Sequence, residues 1–154
     1  MERYKVGYLS GVFDLYHIGH LNLIRRAKSR CEYLIIGLLT DELVEKFKKS
    51  PPYIPYDERR QILESVKYVD EVTAVTQENH EKMKAWNLYH FDCLFSGDDY
   101  AGNLYWEEDR RNLQKVGANI EFFPYTKSTS STMIKAVIQK SLEKVPEPRG
   151  NRYE

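Results

Sequence analysis

Apolar positions along this chain switch repeatedly between a spacing of two and a spacing of 3.6, the signatures of strand and helix. They predict strands over residues 4–9, 33–39, 71–75, 92–96 and 120–123. The run YLIIGLL at 33–39 has almost no polar break, as a strand covered on both faces requires. Helical spacing predicts a helix over 17–30, with Leu21, Ile24 and Ala27 on one face, and a short one from Asp41. Further helices are expected over 56–67, 81–88, 104–116 and 131–143. On the last of these Ile134, Val137, Ile138 and Leu142 form the stripe expected to be buried. Strands alternating with helices imply right-handed crossovers and an α/β fold, a doubly wound parallel sheet of five strands. Ligands of such sheets bind beyond the carboxyl ends of the strands, where strand order reverses. The segments directly after strands are therefore the places to look.

Two stretches break the pattern. Residues 46–55 (KFKKSPPYIP) hold three lysines and three prolines, which predicts a mobile basic loop, because proline rings cannot join a helix interior. Residues 146–154 (PEPRGNRYE) are polar, lack an apolar face and are expected to fray, leaving one domain over 1–145. A chain of 154 residues is long enough to bury a core in one domain. Lys plus Arg equals Asp plus Glu at 23 each, so no overall basic footprint for nucleic acid or membrane exists. Any anion-binding role must come from a local cluster of donors. The apolar runs are too short to span a bilayer, and the charged N-terminal stretch does not read as a signal peptide. Cys31 and Cys93 lack metal-like spacing and are expected to be free, buried thiols in a reducing cytoplasm.

Four post-strand segments carry candidate chemistry. The first is SGVFDLYHIGH, from Ser10 through Gly11, Val12, Phe13 and Asp14 to His17, Gly19 and His20. A glycine ending a strand lets a ligand approach the backbone, and histidines at i, i+3 put two imidazoles on one side of a helix start. Amides at a helix N-terminus attract anions, and the imidazoles add donors there. The pair could instead ligate a metal, but no third ligand is evident. The second segment is the basic loop with Lys46, Lys48 and Lys49, followed by Arg59. The third is Gly97-Asp98-Asp99-Tyr100. The fourth is YTKSTSST, in which Ser130, Ser131 and Thr132 serve either as plain helix caps or as a phosphate cradle.

Taken in order, G-x-F-D-x-x-H-x-G-H resembles the signature of the cytidylyltransferase branch of the HIGH-type nucleotidyltransferases, and in particular the glycerol-3-phosphate cytidylyltransferase-like family. Thr40-Asp41-Glu42, Glu58-Arg59, Tyr68-Val69-Asp70-Glu71-Val72 and Gly97-Asp98-Asp99 match further words of that family. The resemblance runs from about Lys5 to Ile138. It implies transfer of CMP from CTP to a small phosphorylated alcohol, with Mg²⁺ carried mainly by the triphosphate. It implies that His17 and His20 stabilise the transition state and that Lys48, then Lys46, closes over the phosphates. Ser10 to Asp14, Gly19, Gly97 to Asp99, Thr126 and Ser130 to Thr132 would bind the nucleotide. Phe13 and Asp14 would also hold their loop, and Arg59 resembles a loop-anchoring arginine. Arg59, Asp41, Tyr100, Tyr125 and Lys127 are the candidates on the substrate side. Similar enzymes are commonly homodimers.

One word departs from the pattern. Tyr125 stands where the family has arginine, Lys127 replaces glutamate and Ser128 replaces glycine, and a neutral tyrosine does not substitute for a guanidinium. Adenylyl transfer from ATP, to flavin mononucleotide or a sugar phosphate, remains an alternative on the same scaffold. A nucleotide-binding module without turnover is a third.

Overall fold

The computed structural model describes residues 3–124 and 128–144, apart from the side chains of Asp99 and Lys144. Element order is β1 (Tyr4–Gly11), α1 (Ile18–Ser29), β2 (Cys31–Leu39), α2 (Asp41–Lys48), α3 (Tyr56–Glu64), β3 (Glu71–Val75), α4 (Lys82–Tyr89), β4 (Cys93–Gly97), α5 (Leu104–Lys115), β5 (Asn119–Phe123) and α6 (Ser131–Lys144). All five strands pair in parallel in the order β3-β2-β1-β4-β5. The chain thus winds outward from β1 to β3, crosses back, and winds the other way through β4 and β5. The reversal lies between β1 and β4, so the crevice for a ligand opens beyond Gly11 and Gly97.

Alternation along each strand divides the interior in two. Leu9, Leu34, Ile36, Leu38, Cys93 and Phe95 point to one face and pack with Ile24 and Ala27 of α1 and Leu63 of α3. Tyr8, Ile35, Leu94 and Ile120 point to the other and pack with Ala85 of α4 and Leu113 of α5. Burial on both sides explains why 33–39 reads as an unbroken apolar run. Gly37 interrupts that run because a Cβ there would collide with the Tyr8 hydroxyl. Tyr8 in turn lies stacked between Tyr89 and Phe91, with ring centroids 5.6 and 5.1 Å away.

Three expectations need correction. Helix α2 continues through Lys48, with Lys49 as a left-handed C-cap, so the first three residues of the expected loop are helical. The prolines act only afterwards, from Pro51. On α6 the expected stripe is incompletely covered: Ile134 and Ile138 are part-buried, whereas Val137 is 64% and Leu142 63% exposed. A single 3-10 turn, Asp98–Tyr100, follows β4 and was not anticipated.

Both cysteines are free and buried, and burial pushes the Cys31 thiol to about 11 and the Cys93 thiol to about 12. Neither is a nucleophile near neutral pH. Among the described residues no helix is long and apolar enough to cross a membrane. The tail at 146–154 lies outside the described residues.

Candidate active site

The strand-to-helix turn after β1 is built around the two histidines. His17 is the N-cap of α1, and its Nδ1 accepts the Gly19 amide at 3.0 Å. His20 reaches back, its Nδ1 accepting the His17 amide at 3.3 Å. The sequence H-I-G-H is thus a capping box in which imidazoles take the usual places of serine and glutamate. Gly19 is required: a Cβ would lie 2.7 Å from the His17 ring and 3.2 Å from the Thr129 carbonyl. The two rings stack at 3.9 Å, and His20 also lies against Phe13 and Tyr16.

These bonds decide the tautomers. Each Nδ1 accepts an amide, so each neutral ring carries its proton on Nε2. Ser131 donates its hydroxyl to the Asp14 carbonyl at 2.7 Å, which leaves its oxygen to accept from His17 Nε2 at 3.3 Å. Burial lowers the pKa of both histidines. His20 falls to about 4 through burial and then through its neighbours His17 and Lys48, with Asp14 opposing. At neutral pH the site therefore presents two uncharged N–H donors rather than two cations.

The loop preceding them is strained and held from outside. Phe13 and Leu15 both adopt positive φ, 52° and 53°, a conformation that costs a non-glycine residue on the order of 1 kcal/mol or more. Between them Asp14, 2% exposed, accepts amides of Tyr53 at 2.8 Å and Ile54 at 2.9 Å, and meets Lys135 Nζ at 3.2 Å. Burial alone would raise the carboxyl pKa, but these partners outweigh it and hold the group below the ordinary carboxylate range. Arg59, 1% exposed, donates to the Ile54, Val12 and Leu39 carbonyls at 2.8, 2.8 and 2.9 Å and to Asp41 at 2.6 Å. Asp41 also accepts the Tyr56 amide at 3.2 Å. Arg59 and Asp41 are thus spent on the protein itself: they pin β1, β2, α2 and α3 together. Arg59 takes the loop-anchoring place that the resemblance implied, and a guanidinium with this many internal partners has little left for a ligand.

Two adjoining cavities meet at the histidines. The larger, about 570 Å³, is lined by Ser10, Gly11, Val12, Phe13 and Asp14 with His20, Lys48, Tyr100 and Ser131. The smaller, about 200 Å³, is lined by His17, Gly19, His20, Gly97, Ser130, Ser131 and Thr132 together with Thr129. His20 and Ser131 belong to both. Of Lys46 and Lys48, Lys48 lines the larger cavity and Lys46 lines neither of these two. Two positions apart on a helix the side chains diverge by about 200°, so one face cannot present both. Partial burial, then Lys135, lowers the Lys48 pKa, with Asp14 opposing. Ser130 does serve as a cap, accepting the Met133 amide at 3.1 Å, while also lining the smaller cavity. Asp98 is exposed and lines neither cavity. Tyr125, Thr126 and Lys127 lie outside the described residues, as does the side chain of Asp99.

Sequence reading missed several wall residues of the larger cavity: Leu39, Val44, Phe47, Ser96, Trp106 and Lys135. Trp106 stacks on Tyr100 at 4.7 Å, making a flat aromatic wall, and Lys82 Nζ sits 3.7 Å from its ring centre on another side. Lys135 was legible in principle, one helical turn after Ser131 on the same face. Trp106 was not, because it reaches the site from a helix whose start carries no motif.

A family profile described as cytidylyltransferase-like matches residues 8–137. The glycerol-3-phosphate cytidylyltransferase of Bacillus subtilis is 36% identical over 83% of this chain and 92% of its own length. FAD synthase of Thermococcus kodakarensis is 30% identical over 92% of this chain and 95% of its own. A crystal structure of the lipopolysaccharide core biosynthesis protein from Thermoplasma volcanium overlays with a TM-score of 0.65 at 19% identity, covering 82% of this chain and 99% of that one, a likeness of fold alone. The matched span holds four strands entire, the end of β1 and both histidines, and the chain belongs to the cytidylyltransferase-like family of nucleotidyltransferases.

Proposed function

We propose that this protein transfers a cytidylyl group from CTP to the phosphate of a small phosphorylated alcohol, with glycerol 3-phosphate the first candidate. An acceptor phosphate oxygen attacks the α-phosphorus, the bond to the bridging α–β oxygen breaks, and pyrophosphate leaves with that electron pair. The nucleophile is already an anion, so no general base is needed. The observation that carries this reading is the pair of neutral imidazoles at the junction of two cavities, with His20 lining both. The His20 Nε2–H, and the His17 Nε2–H if a phosphate oxygen replaces Ser131 as its acceptor, would donate to a phosphorus centre that gains charge and so lower the barrier. Lys48, a flexible ammonium at the rim, can follow charge onto the departing pyrophosphate. Ser130 and the first amides of α6 offer the nucleotide a second anion site at a positive helix end.

Mg²⁺ fits this arrangement through the nucleotide. The Asp14 carboxylate is engaged by two amides and Lys135, so the ion would be held by phosphate oxygens and water, where it neutralises triphosphate charge. The homodimer and the cytoplasmic setting remain part of the proposal; the exposed Val137 and the free thiols support them. Pyrophosphate release should require CTP, Mg²⁺ and glycerol 3-phosphate or a related phosphoalcohol together. No release from any such mixture ends the reading.

One observation favours a second reading. Phe47, Tyr100 and Trp106 give the larger cavity an aromatic lining that a bare polyol phosphate does not use. Adenylyl transfer from ATP to a flat phosphate such as flavin mononucleotide would use it. Parallel assays with ATP and flavin mononucleotide separate the two.

A further inference from the structure

The reaction proposed above needs a place for the acceptor's phosphate, and the larger cavity contains a cation that the motif set does not name. Both imidazoles are neutral, so positive charge among the described residues lining this cavity comes from Lys48 and Lys135. Lys135 stands one helical turn beyond Ser131 and faces the same loop. Ser131 ties α6 to the backbone of that loop; Lys135 reaches the Asp14 carboxylate at 3.2 Å and lies 5.3 Å from the centre of the Tyr53 ring.

The Asp14 carboxylate does not depend on it. The Tyr53 and Ile54 amides, at 2.8 and 2.9 Å, already fix both oxygens, and Lys135 is the longest of the three contacts. It is also the one contact that a side-chain rotation can release while the backbone stays still. The carboxylate keeps its two amides when this happens. Lys48 and Lys135 line the same cavity and repel each other, a repulsion that a doubly charged anion bound by both relieves.

We propose that Lys135 binds the phosphate of the acceptor. On arrival of a phosphomonoester dianion it exchanges the Asp14 contact for the phosphate and, with Lys48, holds that phosphate beside the histidines. Lys135 is then a specificity-determining residue that makes the acceptor's double charge a condition of tight binding. This inference rests on the acceptor reading above.

The test is calorimetric titration of glycerol 3-phosphate and, separately, inorganic phosphate into protein saturated with a non-hydrolysable analogue of whichever nucleotide binds, CTP or ATP. Lys135→Met should weaken both phosphate ligands about 10- to 100-fold, the scale of one charge-assisted contact, and change analogue affinity less than about threefold. Lys135→Arg should recover most of the loss, and Lys135→Gln replaces the methionine variant if that fails to fold. In steady state the same variants should raise KM for the acceptor and leave kcat within about threefold. Unchanged phosphate affinity, a parallel loss of analogue affinity, no recovery by arginine, or a wild-type protein that binds neither phosphate overturns the inference. Lys135-dependent phosphate binding without any pyrophosphate release supports this site and rejects the reaction instead.

Discussion

The two walls of the larger cavity are held in different ways. The β1–α1 loop is over-determined: two left-handed residues are kept in place by the Asp14 amide bonds, the Arg59 fan and the histidine capping box. Helix α6 is attached by Ser131, Lys135 and part-buried Ile134 and Ile138, while its Val137 and Leu142 stay exposed. Donors that must meet a reacting phosphorus to within a fraction of an ångström sit on the rigid wall. Groups that must admit and release a ligand sit on the lightly tethered one.

The largest break in that comparison should come from Arg59→Ala. It leaves three backbone carbonyls and Asp41 without their donor, and a loss of roughly 3–5 kcal/mol of stability is expected by chemical denaturation. A loss below about 1 kcal/mol would show that the loop holds itself. Next, His20→Ala should lower kcat by at least about 10²-fold, the scale of one transition-state donor. His17→Asn sharpens the point: asparagine is a good N-cap, so helix α1 should persist while the rate falls by a similar factor. Near-normal turnover in both variants would refute their role.

Lys48→Ala should cost about 10- to 100-fold in activity whereas Lys46→Ala should stay within about threefold, since only the former reaches the cavity. Equal effects would mean that α2 turns or unwinds on binding. A gentler test uses pH. His20 has a folded pKa of about 4 against an ordinary 6.5. Below pH 6.5 the unfolded chain takes the proton first, so stability is lost as pH falls from 6.5 towards about 4. The thermal midpoint should fall over that window, and His20→Gln should flatten the fall. At the other wall, Val137→Ser should change monomer stability by less than about 0.5 kcal/mol, and a larger loss would mean that α6 is covered in solution.

Much of this was legible beforehand. Among the described residues the period-2 and period-3.6 patterns located every strand and α-helix to within a few residues, because a sheet covered on both faces leaves little freedom in where apolar residues go. The chemistry word around His17 and His20 was legible for a similar reason: capping and tautomer are local, although the loop before them is held by distant residues. The failures are of one kind. Resemblance alone ranks Lys48 ahead of Lys46, and the physical difference between them appears once α2 runs through both. The anchoring role of Arg59 was implied by the resemblance, but its partners, Val12, Leu39, Asp41 and Ile54, were not legible because they come from separate segments.

By itself, then, the order of residues determined the alternation of elements, the parallel sheet and the pair of imidazoles at a helix start, since each follows from contacts between near neighbours in the chain. Only the tertiary structure decided which lysine faces the cavity, that Lys135 and Trp106 join its walls, and which backbone groups Asp14 and Arg59 hold. Those outcomes depend on which of several chemically similar groups lies within about 3 Å of a partner far away in sequence, and no local pattern encodes that distance.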